Sequence, residues 1–127
     1  MKVARLQAVG EVSVHDEPDP VPARDETLVR VSAVGLCGSD LHWFRHAGIG
    51  DTSLERPLVL GHEAAGVTQS GQRVAIDPSI SCGICDYCLA GNPNLCTNLR
   101  FAGHGLQDGA LREMVAWPDR RLQTGHP

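Results

Sequence analysis

Seven residues hold the chemistry this sequence can do, and they fall into two groups. Four cysteines follow one another as Cys82-x2-Cys85-x2-Cys88-x7-Cys96. Zn²⁺ prefers a tetrahedron, and four thiolates at ~2.3 Å close it with no open position. The x2 steps let neighbouring thiolates converge from a tight loop. The x7 step, through Gly91-Asn92-Pro93-Asn94, lets the chain turn back with the last one. A ferredoxin-type run would read x2, x2, x3 with proline after the last cysteine, whereas here the last gap is x7 and Thr97 follows. A zinc ribbon on nucleic acid would want cations, and residues 82–96 contain no lysine or arginine. Disulfides are the plain alternative; an odd total of five cysteines fits a fully paired framework poorly. The expectation is a structural zinc site built by Cys82, Cys85, Cys88 and Cys96.

The second group is Cys37, His62 and Glu63, which offer a thiolate, an imidazole and a carboxylate. Zinc held by three protein groups, with the fourth place open to water or substrate, is the catalytic pattern. Ser39 can accept and pass on the proton of a bound alcohol. Asp40 can hold the imidazole of His62 through its second nitrogen, fixing tautomer and basicity. Spacing alone leaves the alternatives open: taken singly, His62 reads as a hydrogen-bonded structural histidine and Cys37 as a small apolar filler.

Positioning these groups falls to a mostly β chain. In 127 residues there are 14 glycines and 8 prolines, a turn-rich composition that favours loops and strands over a helical bundle. Two short apolar runs around Gly10-Glu11 read as a β-hairpin up to about Glu17, and the prolines at 18, 20 and 22 make an extended connector. Thr27–Val34 is the best strand by its β-branched residues and near-alternation. Ser39–His46 reads as a short helix with Ser39 as its cap. Ala64–Gln69 and Arg73–Asp77 read as strands joined at Ser70-Gly71, and Leu111–Trp117 as a closing strand ended by Pro118. Residues 81–99 have no usable period, so metal binding would supply the order of that loop.

Composition also excludes. Eleven Lys and Arg against fifteen Asp and Glu give a net charge of −4, a poor match for electrostatic binding to nucleic acid. No apolar run approaches the ~20 residues of a membrane span. The start, Met1-Lys2-Val3-Ala4-Arg5-Leu6-Gln7, lacks a signal-peptide apolar stretch, so a cytoplasmic location is expected.

Four segments carry a family resemblance: Gly35-Leu36-Cys37-Gly38-Ser39-Asp40-Leu41-His42, Gly61-His62-Glu63-Ala64-Ala65-Gly66, Gly71-Gln72-Arg73-Val74 and the four-cysteine loop. In this order, from about Val31 to Trp117, the sequence resembles the zinc-dependent medium-chain alcohol dehydrogenases. Gly48-Ile49-Gly50-Asp51 and Cys96–Gly103 are similar to the branch acting on polyols and sugar acids. The resemblance implies a mainly β, GroES-like, partly open β-barrel with short helices and a zinc-binding loop lobe at about 81–99. It implies a catalytic zinc among Cys37, His62 and Glu63, a proton path through Ser39, and a relay position at His42, for which an exposed helical histidine is the alternative. In polyol-type members Glu63 corresponds to a near ligand; in other branches a thiolate from further along the chain takes that part.

The sequence departs from the family in three ways. Residues 66–71 leave room only for a tight turn where relatives carry a longer excursion, the chain stops near the point where relatives enter their nucleotide-binding half, and no Gly-x-Gly-x-x-Gly follows a strand. The expectation is therefore the N-terminal catalytic domain of an NAD(P) dehydrogenase, oxidising a secondary alcohol of an alcohol, polyol or sugar-acid substrate in the full-length enzyme, with one catalytic and one structural zinc. The isolated chain is expected to be inactive for want of a Rossmann half. That half or a second copy of the chain are the expected partners. The competing reading is a stand-alone zinc-binding interaction module.

Overall fold

In the computed structural model, which describes residues 1–125, a turn at Val9-Gly10 folds β1 (Lys2–Ala8) back on β2 (Glu11–Asp16). Gly10 sits at φ +68°, a conformation that glycine adopts without a Cβ penalty. After the proline-rich connector, β3 (Glu26–Gly35) runs ten residues into α1 (Gly38–His46). A small ribbon, β4 (Gly48–Ile49) with β5 (Thr52–Ser53), leads to β6 (Glu63–Thr68) and β7 (Arg73–Ile76). β8 (Ser79–Ile80) and β9 (Arg100–Phe101) pair and close the neck of the cysteine lobe, which contains the single turn α2 (Asp86–Leu89). The described chain ends with β10 (Met114–Pro118) and β11 (Leu122–Thr124).

Five strands form the main sheet, in the order β10-β3-β6-β7-β11, with all pairs antiparallel. Chain length forces this sheet to curl. Strands about 4.8 Å apart would hold the outer two about 19 Å from each other in a flat sheet. Yet Pro118 ends one edge strand and Leu122 starts the other, and four residue steps span at most about 14 Å. The sheet therefore bends until its edges approach, which gives the partly open barrel expected above. Pro118 fits because β10 is an edge, where a missing N–H costs no ladder bond.

Val29, Val74, Ile76, Ile80, Val115 and Trp117 fill the curled sheet. A second cluster, Leu6, Trp43, Leu58 and Leu60, locks α1 and the β1–β2 hairpin onto the segment leading to His62. There Leu6 and Leu58 exchange backbone hydrogen bonds of 2.8 and 3.0 Å. Among the described residues no helix is long and apolar enough to cross a membrane.

The structure corrects two local expectations. Cys37, not Ser39, caps α1, because the carboxylate of Asp40 accepts the Cys37 N–H and draws the helix start back by two residues. The strand expected to close the chain starts at Met114 rather than Leu111 and is followed by β11: Leu111 donates to the Leu60 carbonyl and accepts from Ala4, so that stretch serves the other cluster. The tight turn after β6 is present, with the Gln72 N–H donating to Thr68 Oγ1 and Gly71 at φ +86°.

Candidate metal centres

Strand register builds the first centre. β3 and β6 pair with Gly35 opposite Glu63, so Cys37, two residues past Gly35, arrives beside His62, one residue before Glu63. The turn into β6 needs a glycine: Gly61 lies at φ +95°, and a Cβ there would stand 2.8 Å from Val34. One buried carboxylate pins both segments. Asp40, 3% exposed, accepts the Cys37 N–H at 2.9 Å through Oδ2 and the Gly61 N–H at 3.3 Å through Oδ1.

The same Oδ1 lies 3.6 Å from Nδ1 of His62. With Nδ1 facing a carboxylate, Nε2 is the nitrogen left for a ligand, the usual second-sphere arrangement of a metal-binding histidine. The donor atoms of Cys37, His62 and Glu63 lie within 4.8 Å of one another. Glu63 is exposed, and Cys37 and His62 are half-buried. This donor set of sulfur, nitrogen and oxygen fits zinc and leaves one tetrahedral position over.

Ser39, half-buried, follows in the first turn of α1, two residues from Cys37. His42 stands exposed on the same helix; its Nδ1 is 2.7 Å from the Gly48 carbonyl and its ring centroid 4.5 Å from that of His46. Sequence reasoning assigned no role to Phe101, whose ring lies 5.3 Å from that of His62 and forms one wall beside it. Nothing in its spacing marks it, because β8–β9 pairing alone brings it there.

The four cysteines form the second centre. All are free thiols, and their sulfurs lie within 4.8 Å of one another, with Cys82 and Cys88 at 4.0 Å. A tetrahedron of ~2.3 Å zinc–sulfur bonds has edges of about 3.8 Å, so the cluster fits the ion. Backbone amides aim at the sulfurs: Cys82 and Asn98 donate to Cys96 at 3.2 and 3.3 Å, and Cys85 donates to Cys82 at 3.3 Å. Such donors stabilise thiolates. Amides of Cys88 and Thr97 donating to Cys85 hold its thiol down to about 6, while burial pushes Cys88 up to about 11.

The root of this lobe is held by residues that sequence reasoning passed over. Arg121 donates to Asp77 Oδ2 at 2.9 Å and to Ser81 Oγ at 2.6 Å, Arg120 donates to the Ser81 carbonyl at 2.8 Å, and Trp117 Nε1 donates to the Asp77 carbonyl at 2.9 Å. These contacts join the C-terminal strands to the segment just before Cys82, across about 40 residues of sequence.

The sequence and the fold are shared with known proteins. The sequence is 37% identical over 125 residues to a sorbitol dehydrogenase of Bacillus subtilis (strain 168), covering 91% of this chain and 35% of that protein. The chain thus spans about a third of the length of the curated relatives it matches. Among solved structures, it superposes on L-idonate 5-dehydrogenase of Escherichia coli with a TM-score of 0.82 at 30% identity, covering 99% of this chain and 39% of that one. It also superposes on a short chain alcohol dehydrogenase of Escherichia coli CFT073 complexed with NADH, with a TM-score of 0.85 at 34% identity, covering 98% and 38%. The model of the alcohol dehydrogenase GroES-like domain matches residues 23–124, so the curled sheet and its cysteine lobe belong to that family, within the zinc-dependent medium-chain dehydrogenases.

Proposed function

We propose that this chain is the catalytic domain of a zinc- and NAD(P)-dependent dehydrogenase that oxidises a secondary alcohol of a polyol or sugar acid to a ketone, in the cytoplasm. The observation that carries the reading is the convergence of Cys37, His62 and Glu63, with Asp40 behind the imidazole. A purely structural domain has use for the cysteine lobe but not for this second group. The polyol and sugar-acid assignment is supported by the relatives, sorbitol dehydrogenase and L-idonate 5-dehydrogenase.

Cys37, His62 and Glu63 would hold a zinc ion, which would supply the Lewis acidity that lowers the pKa of an alcohol hydroxyl. Ser39 accepts the hydroxyl proton and passes it toward solvent, with His42 at the exposed end of that path. Asp40 faces Nδ1 of His62 and keeps the ring oriented. The Phe101 ring packs beside the His62 imidazole. Cys82, Cys85, Cys88 and Cys96 would hold a second zinc, whose part would be to order their loop. Hydride transfer needs reacting atoms ~3–3.5 Å apart, and these 127 residues hold no Gly-x-Gly-x-x-Gly to bind a dinucleotide. The coenzyme therefore calls for a nucleotide-binding half in addition to this domain.

Metal analysis tests the reading. Two zinc ions per chain are expected, falling to one in Cys37→Ser with the fold retained. One zinc in the parent chain, unchanged by Cys37→Ser, would overturn it in favour of a structural module.

A further inference from the structure

Gly35 lies directly opposite Glu63 in the β3–β6 ladder. A Cβ placed on it would stand 2.5 Å from Glu63 Oε2, 3.2 Å from Glu63 Cβ and 3.6 Å from Cδ. The backbone of Gly35 does not lie in the left-handed region, so glycine is not required there by conformation. What requires it is the space occupied by the carboxylate. Gly66, further along the same strand pair, differs: a Cβ there would collide with the Arg30 carbonyl, a backbone atom that cannot move aside. At Gly35 the main obstacle is the end of a flexible, exposed side chain that can swing into solvent. An added methyl group would thus leave the strand pair standing and move the carboxylate instead.

We propose that Gly35 is the positioning residue of the three-donor centre: the space left by its missing Cβ seats the Glu63 carboxylate toward Cys37 and His62. The inference rests on the zinc reading above and assigns to a residue without a functional group the task of keeping an exposed glutamate at the centre.

The test is a cobalt(II) titration of the 127-residue chain, followed by the thiolate-to-cobalt absorption present in the parent and lost in Cys37→Ser. That difference separates the three-donor centre from the cysteine lobe. Gly35→Ala is expected to weaken this binding about tenfold, the scale of a disturbed supporting shell, with the thermal midpoint of the metal-free chain unchanged. In a Glu63→Ala background, which keeps the Cβ at 63, Gly35→Ala is expected to change nothing further. Parent-like affinity in Gly35→Ala, equal weakening in both backgrounds, or a lowered midpoint of the metal-free chain would each overturn the inference and leave the zinc reading standing. Absence of any Cys37-dependent signal in the parent would overturn the zinc reading and the inference with it.

Discussion

Asp40 is at once a helix cap and a tether, since its carboxylate takes the amides of Cys37 and Gly61 and faces His62. Asp40→Ala leaves one buried and one part-buried amide without an acceptor and is expected to cost ~2–3 kcal/mol by urea denaturation. Asp40→Asn keeps one acceptor oxygen and is expected to cost less stability, yet to weaken zinc binding ~10–100-fold in a chelator competition, because the imidazole loses its anionic partner. In the lobe, the thiols divide by protonation. Cys85, held at about 6, is a thiolate at neutral pH, whereas Cys88, pushed up to about 11, still carries its proton. Zinc capture at pH 7 should therefore release the Cys88 proton and find Cys85 already ionised. Below about pH 6 Cys85 must be deprotonated as well, so affinity should fall more steeply with decreasing pH there. Calorimetry in buffers of different ionisation enthalpy counts these protons directly.

At the scale of elements, the β1–β2 hairpin is tied to the rest by Arg5, which bridges Glu17 at 2.7 Å and Asp108 at 3.0 Å. Hydrogen bonding from Arg5 holds the Glu17 carboxyl down to about 2, below its ordinary value of 4.5. A depressed carboxyl contributes fully above its unfolded value and loses that contribution as pH falls through the folded one. Stability of the parent should thus drop between pH 4.5 and about 2, and Glu17→Gln should be about 1–2 kcal/mol less stable at pH 7 with a flatter acid profile. Denaturant melts across that range decide it. Arg121→Ala should likewise loosen the root of the lobe, by ~2 kcal/mol or more, read from earlier chelator release of its zinc. Much of this framework was legible beforehand, because strands such as Thr27–Val34 announce themselves by β-branched alternation and the cysteines by spacing. The start of α1 was misread because Asp40 caps from inside the helix, a contact that a search for a serine before the first turn does not find. Arg121, Phe101 and the two-residue strands β8 and β9 gave no local signal; their roles come from pairings many residues apart, which periodicity does not record.

For the whole molecule, the curled sheet and the second apolar cluster place the three-donor centre where β3, α1 and β6 meet, and the lobe on a neck formed by β8 and β9. On the proposed reading, the zinc chemistry belongs to this domain and coenzyme binding to a nucleotide-binding half. Incubating the purified chain with NAD⁺ or NADP⁺ and a panel of polyols should therefore give no reduced coenzyme above background, monitored by absorbance; measurable turnover would show that a coenzyme site exists on these residues. On the proposed reading this domain carries two zinc centres of different character. Anomalous diffraction at the zinc edge tests it most directly. Two peaks are expected, one surrounded by the sulfurs of Cys82, Cys85, Cys88 and Cys96, the other bounded by Cys37 Sγ, a His62 nitrogen and a Glu63 oxygen. A single peak confined to the cysteine lobe, in crystals grown with excess zinc, would contradict it.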